Sequence, residues 1–247
     1  MLLPLSCMAY DFSALAPVDT GGNALIYYNI NHDGSTVSVT NGDEPYSDPR
    51  ICIPSSVDGP DGKNYTVTSI GYQAFEKASS PQVFLPNTVT EIQDLAFWCA
   101  ALDTVGLSDN LIKIGNLAFG SSYAANGGHN TIRKIVLPEG LESIGNNAFQ
   151  ESSLLEIELP NSLKQLGYGV FIESKQLKKA KLPEDLAAIP ESIFAACSSL
   201  EEVIFPKNLE KIESHAFFGC PLASFSTPIT LNEIGDANLT GIQIKDF

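Results

Sequence analysis

Five cysteines, three histidines and a surplus of carboxylates are the side chains through which this chain could do covalent, metal or acid–base chemistry. The cysteines are Cys7, Cys52, Cys99, Cys197 and Cys220. No two of them form a CxxC pair, the spacing with which one loop presents two thiolates to zinc or to a redox partner. Cys99, Cys197 and Cys220 each follow a recurring phenylalanine by two or three residues. That placement reads as small buried thiols in a repeating slot. A disulfide between Cys197 and Cys220 is the other reading, in an oxidising compartment. His32, His129 and His215 share no metal-like interval. Serines and acids are plentiful enough to sketch a Ser-His-Asp triad, yet no Gly-x-Ser-x-Gly turn is there to hold a nucleophile. No glycine-rich loop is there to cradle phosphate. Paired acids such as Glu201 and Glu202 come round with the surrounding sequence and read as solvated surface. These residue types point away from an enzyme and towards a chain that binds without metal or cofactor. The enzymatic alternative, an envelope hydrolase, requires a deep pocket with converging polar groups.

Charge narrows the partners. The 247 residues include 29 acidic and 14 basic side chains, for a net charge of -15. Such a surface repels phosphate backbones and anionic membranes, so no nucleic acid partner is expected. No run of 18 apolar residues is present to make a transmembrane helix. Residues 1–9, with Leu2, Leu3 and Leu5 ahead of Cys7 and Ala9, read as the end of an export signal whose basic start and most of whose apolar run are missing. A frayed extension is the competing reading.

Stepping along the chain, one hexapeptide returns. Ile70-Gly71-Tyr72-Gln73-Ala74-Phe75 is followed by copies ending at Phe97, Phe119, Phe149, Phe171, Phe194 and Phe217, and by a weaker copy ending at Leu239. The phenylalanines are spaced by 22, 22, 30, 22, 23 and 23 residues. A second signature keeps step: a short apolar run ending in proline, at Pro86, Pro138, Pro160, Pro183 and Pro206, with Ser108 and Pro228 as degenerate copies. Alternation at Ala180 and Leu182 marks a strand with one buried face. Proline ends each strand because it has no amide to give the ladder. A second short extended segment follows, around Leu186 and Ile189. The Ala-Phe segment is expected to form one helical turn.

One such unit cannot hide its own apolar side, whereas stacked units pool theirs. The expected fold is α/β but β-rich: a right-handed solenoid of about eight coils of 22–23 residues, with a parallel sheet. Coils about 4.8 Å apart would line the phenylalanines up as an internal ladder. Residues 10–66 are expected to form an N-terminal β cap and first coil. Within them Leu25–Ile30 and Val37–Thr40 make a hairpin about the turn 31–34, and the coil enters at 51–54. Residues 67–239 hold the repeats, with an insertion at 120–131, and 240–247 form a last strand.

The combination of apolar-Pro, Leu-x-x-Ile-Gly and Ala-Phe-x-x-Cys resembles the BspA-type leucine-rich repeats, over roughly residues 67–239. Departures are Ser108 for proline, Pro190 for glycine, and the insertion. The resemblance implies a leucine-rich-repeat solenoid, attachment at the cell surface or secretion, and adhesion to host or bacterial proteins, without naming the ligand. A structural spacer within a larger surface protein is the alternative.

The outward strand positions fall into two columns. The first is Gln82, Thr104, Lys134, Glu156, Lys179, Glu202 and Ser224; the second is Phe84, Gly106, Val136, Glu158, Lys181, Ile204 and Ser226. Opposite charges alternate between adjacent coils, which helps to set register. Phe84, Val136 and Ile204 are the apolar exceptions. Together with Glu158 and Lys181, they are the expected contact residues for a protein or glycan partner outside the cell. Tyr123 and His129, in the insertion, are the candidates if a projecting loop binds instead. A neutral insertion and a purely structural role for the columns are the plain alternatives.

Overall fold

The computed structural model describes residues 10–17, 23–122, 130–222 and 230–237. The chain opens with three antiparallel strands, β1 (Phe12–Pro17), β2 (Asn23–Ile30) and β3 (Thr36–Thr40). Asp33 makes the turn between β2 and β3. Its carboxylate accepts the amides of Ser35 at 2.7 Å and Thr36 at 2.8 Å, and these bonds hold its pKa down at about 2. Next come β4 (Arg50–Cys52), β5 (Ser56–Asp58) and β6 (Asn64–Ile70), with β6 parallel to β3.

Each following repeat adds short strands: β7 (Gln82–Phe84), β8 (Glu91–Ile92), β9 (Thr104–Gly106) and β10 (Lys113–Ile114). They continue with β11 (Ser143–Ile144), β12 (Glu156–Glu158), β13 (Gln165–Leu166) and β14 (Lys179–Lys181). The last are β15 (Ala188–Ile189), β16 (Glu202–Ile204), β17 (Lys211–Ile212) and β18 (Glu233–Ile234). All of these pair in parallel with the equivalent strand of the neighbouring repeat, and they form two rows. One row holds β4, β7 and β9, then β12, β14 and β16; the other runs from β6 through β8, β10, β11 and β13, then β15, β17 and β18.

Both rows are interrupted once, each time beside a departure from the repeat. The first row lacks a strand at Lys134–Val136, directly after the insertion. The second breaks between β13 and β15. In other repeats the residue after the row's isoleucine donates its amide to the previous coil, as Gly145 does to Ile114 at 2.8 Å and Gly167 to Ile144 at 2.9 Å. Pro190 occupies that position after Ile189 and has no amide to donate. Ser108, by contrast, keeps the strand end intact, and its hydroxyl accepts the amide of Asn110 at 3.1 Å.

The expected helical turn is not there: the described residues contain no α-helix. Around each phenylalanine the backbone instead makes tandem β-turns. In the first, Ala74 donates to Gly71, Glu76 to Gln73, and Ala78 to Phe75. The amides between them, on Gln73, Phe75 and Lys77, donate to the next coil, to Asp94, Ala96 and Trp98. Every amide of the segment thereby finds a carbonyl, half locally and half across the stack. Left-handed residues make this possible. Gln73 and Lys77 bracket Phe75 at φ 55° and 56°, Leu95 and Cys99 bracket Phe97, and Glu173 follows Phe171 at φ 59°. A positive φ at the third position is what a type II turn demands, and it stops a helix from propagating. Since a left-handed side chain is strained, Glu173→Gly is expected to raise unfolding free energy by up to about 1 kcal/mol, and Glu173→Val to lower it by a similar amount. Urea midpoints of the two variants check this; equal midpoints would contradict the strain.

The core is a column of rings. Phe75, Phe97, Phe119, Phe149, Phe171, Phe194 and Phe217 stack in succession, with centroids 5.0 to 5.7 Å apart and planes within 4–19°. Each is at most 2% exposed, and burying one contributes about 1.5–3 kcal/mol. Tyr46 lies on Phe75 at 4.5 Å and opens the column. Its hydroxyl donates to the Thr40 carbonyl at 2.6 Å and accepts the Tyr27 amide at 3.0 Å.

Candidate binding face

The first row of strands positions the candidate contact residues. Its register sets Gln82 beside Thr104, and Phe84 beside Gly106. It sets Glu156, Lys179 and Glu202 in one line, and Glu158, Lys181 and Ile204 in the next. The residues between them, Ile157 and Ala180, point into the core. Lys134 carries the first line on, 4.0 Å from Glu156, although its segment forms no ladder. Lys179 pairs with Glu202 at 2.8 Å, while Lys181 pairs with Glu158. By accepting from its ammonium, the Glu158 carboxylate holds the Lys181 pKa above the ordinary lysine value.

Val136 is 73% and Ile204 41% exposed. They stand at the two ends of a groove of about 500 Å³, floored by Ile135 and Ile157 and walled by the charged pairs. On the other side of Val136 a second hollow of about 400 Å³ reaches Gly106 and Lys134. The missing ladder at 134–136 is what leaves hollows on both flanks of this valine. The groove therefore brings together Val136, Glu158, Lys181 and Ile204.

Phe84 departs from expectation. It is half-buried, with the Arg50 guanidinium 4.6 Å over its ring, and its edge lies where a Cβ on Gly106 would come within 2.6 Å. Glycine beside it lets the ring lie flat, so Phe84 is roofed by the first coil and stands outside the groove. Tyr123, His129, Ser224 and Ser226 lie outside the described residues, as do the proposed export signal and the last strand.

The groups considered for catalysis stay apart from this face. His32 lies in the turn before β3, and His215 sits edge-on to Phe218 at 5.9 Å. Among the described residues no group of three or more His, Cys, Asp or Glu side chains is placed to hold a metal. Cys52, Cys99, Cys197 and Cys220 are free thiols, so the Cys197–Cys220 disulfide is not formed. Cys197 donates to the Phe171 carbonyl at 3.0 Å and Cys220 to Phe194 at 3.1 Å. Ser174 gives the same bond to Phe149 at 3.0 Å. The slot thus asks for a small donor that serves the previous coil's carbonyl, and serine and cysteine both satisfy it. Burial pushes the Cys220 thiol up to about 12 and raises Cys197 well above the ordinary value, which leaves both thiols protonated and unreactive. No helix among the described residues is long and apolar enough to cross a membrane.

Comparison with known proteins bears on the repeat. Residues 62–126 and 121–244 match the model of the BspA type leucine rich repeat region, with six copies. The structure is similar to that of a leucine-rich repeat protein from Bacteroides ovatus, at 27% identity and a TM-score of 0.63, over 92% of this chain. This chain spans 61% of that protein's length. A leucine rich repeat protein of T. pallidum shares the fold at 24% identity and a TM-score of 0.65, over 89% of this chain and 95% of that one. A leucine-rich repeat protein from Eubacterium ventriosum shares it at 17% identity and a TM-score of 0.53, over 94% and 72%. No curated protein matches the sequence.

Proposed function

Because the chain belongs to the BspA-type leucine-rich repeat family, we infer that it is a secreted or cell-surface protein that holds a macromolecular partner on its outer strand face. The partner is a protein, or a glycan, outside the cell. In this reading the stack is one right-handed solenoid of about eight coils, closed at the start by residues 10–66 and extended by 67–239. The adhesive role follows the family's, and the insertion at 120–131 is a secondary contact.

The observation that carries the reading is the pairing of Val136 and Ile204. Both are large, aliphatic and open to solvent on a row whose other outward positions are polar, charged or covered. Apolar anchors within a charged rim are the usual anatomy of a protein contact. A column of ion pairs alone would serve register and no more.

The test is capture. Immobilised protein is presented with host extracellular-matrix extract and with the surface proteins of neighbouring bacteria. A Val136→Ser/Ile204→Ser variant is expected to retain the native melting curve and to lose capture about tenfold or more. Unchanged capture moves the site to the insertion or elsewhere. Fractionation that finds the protein only in the cytosol overturns the location.

A further inference from the structure

We propose that the outer face from Lys134 to Ile204 docks against the same face of a second copy of this chain, about a two-fold axis running along the strands between β12 and β14. The proposal rests on the reading of this face as a contact surface, and it names one partner for it.

A two-fold axis lying along the strands turns one sheet face onto another, keeps each column opposite its own copy and reverses the order of the coils. The first column reads Lys134, Glu156, Lys179, Glu202. Reversed, it sets Lys134 against Glu202 and Glu156 against Lys179. The second reads Val136, Glu158, Lys181, Ile204. Reversed, it sets Glu158 against Lys181 and places the two exposed aliphatics, Val136 and Ile204, against each other at both ends.

The flanks of the strip obey the same rule. At the strand starts Arg133 comes opposite Glu201, and just past the prolines Glu139 comes opposite Lys207, all four exposed. The remaining positions set Leu155 against Lys178 and Asn161 against Glu184. No like charges meet anywhere in the four coils, and opposite charges meet in five of the eight register pairs. The pairs already present within one copy, such as Lys181 with Glu158, are kept, because the second copy completes a checkerboard around them. The same pairing with the coil order unreversed would set every charge against itself.

The strip is small. Four coils at about 4.8 Å, each one strand wide, fall well short of the roughly 800 Å² per partner of a standard stable interface. Association is therefore expected in the upper micromolar range. The net charge of -15 opposes approach, so the contact shows itself at about 0.15 M salt, where the Debye length of about 8 Å screens the long-range repulsion and spares direct pairs.

Sedimentation equilibrium of the full chain from about 10 µM to about 1 mM reads the result. A reversible monomer–dimer equilibrium is expected for the native protein. Glu158→Lys and Lys181→Glu are each expected to be monomeric, because each places like charges together at the axis. Mixed in equal amounts, they are expected to form a heterodimer within about tenfold of the native affinity, since each supplies the charge the other lacks. Glu156→Lys with Lys179→Glu repeats the exchange at an independent pair. A monomeric native protein at the highest concentration overturns the proposal, as does a mixture that stays monomeric, or a single variant that dimerises like the native chain. If the native protein is monomeric while Val136→Ser/Ile204→Ser loses foreign capture, the contact face stands and self-pairing falls. If it dimerises through these charges while that variant captures normally, self-pairing stands and the foreign site lies elsewhere.

Discussion

Phe149→Ala is expected to lower the unfolding free energy by about 3–5 kcal/mol, the usual cost of emptying a buried phenylalanine site. The ring is 2% exposed and lies between Phe119 at 5.3 Å and Phe171 at 5.5 Å, with planes 4° and 13° apart. Its removal opens a gap between the two neighbouring rings, each held in place by a backbone bonded to the next coil. Phe119 donates its amide to Ala148 at 2.8 Å, and Phe149 to Val170 at 2.8 Å. In a repeat stack the coupling between neighbours carries cooperativity, so the loss weakens the junction between the two halves as well as the total. The readout can see both. Trp98 is the sole tryptophan and belongs to the half before Phe149, whereas circular dichroism reports both halves. Urea curves from the two probes are expected to coincide in the native protein and to separate in the variant. Phe218→Ala serves as control, since that ring is 49% exposed and its loss should change stability by about 0.5 kcal/mol or less. A Phe149→Ala loss no larger than the control's would show that the column is not a packed core.

That column was legible because a period in the chain becomes a line in space once the units stack. Seven phenylalanines in phase with five strand-ending prolines leave few other arrangements. The conformation of the segment that carries them was not legible. Gln73, Leu95, Leu117 and Ser192 are left-handed, and none is a glycine, the residue by which such a backbone is ordinarily recognised. An Ala-Phe sequence without that signal reads as helical. Tyr46 was missed as the first ring because no repeat motif surrounds it. Phe84 was read as exposed because its roof, Arg50, comes from the first coil, whose register against β7 depends on turns that follow no period. The charged columns fared better. Lys134–Glu156, Lys179–Glu202 and Glu158–Lys181 follow from the period alone, while Glu156 and Lys179 stand side by side in register with Lys179 turned to Glu202. The groove was beyond reach: it adjoins the lapse of the ladder at 134–136, which composition does not predict.

Gly145→Ala is expected to cost about 1–3 kcal/mol, although it adds one methyl group at a position close to solvent. A Cβ at Gly145 would stand 2.6 Å from the Asn116 amide nitrogen and 2.6 Å from the Gly115 carbonyl carbon. Both are backbone atoms of the preceding coil, and neither can turn aside. At the same place Gly145 donates its amide to Ile114 at 2.8 Å, and Asn146 donates to the Asn116 side chain at 2.8 Å. Relieving the clash means parting coils that these bonds hold together. The contact recurs up the stack, for a Cβ on Gly115 meets the Asp94 amide at 2.5 Å and one on Gly167 meets that of Asn146 at 2.6 Å. Where glycine holds this position it permits the close approach and needs no special φ to explain it, whereas Gln93 and Glu213 hold the same position in coils that still donate to Ile70 at 2.9 Å and Ile189 at 3.0 Å. Gly140 is the internal comparison, five residues earlier and in the same repeat. Nothing lies within 4 Å of a Cβ there, so Gly140→Ala is expected to be neutral or to stabilise by up to about 1 kcal/mol through the unfolded chain. Urea midpoints of the two variants are the measurement. Equal values would mean that general chain entropy, and not coil-to-coil contact, governs these glycines, and the close second row of strands would lose its explanation.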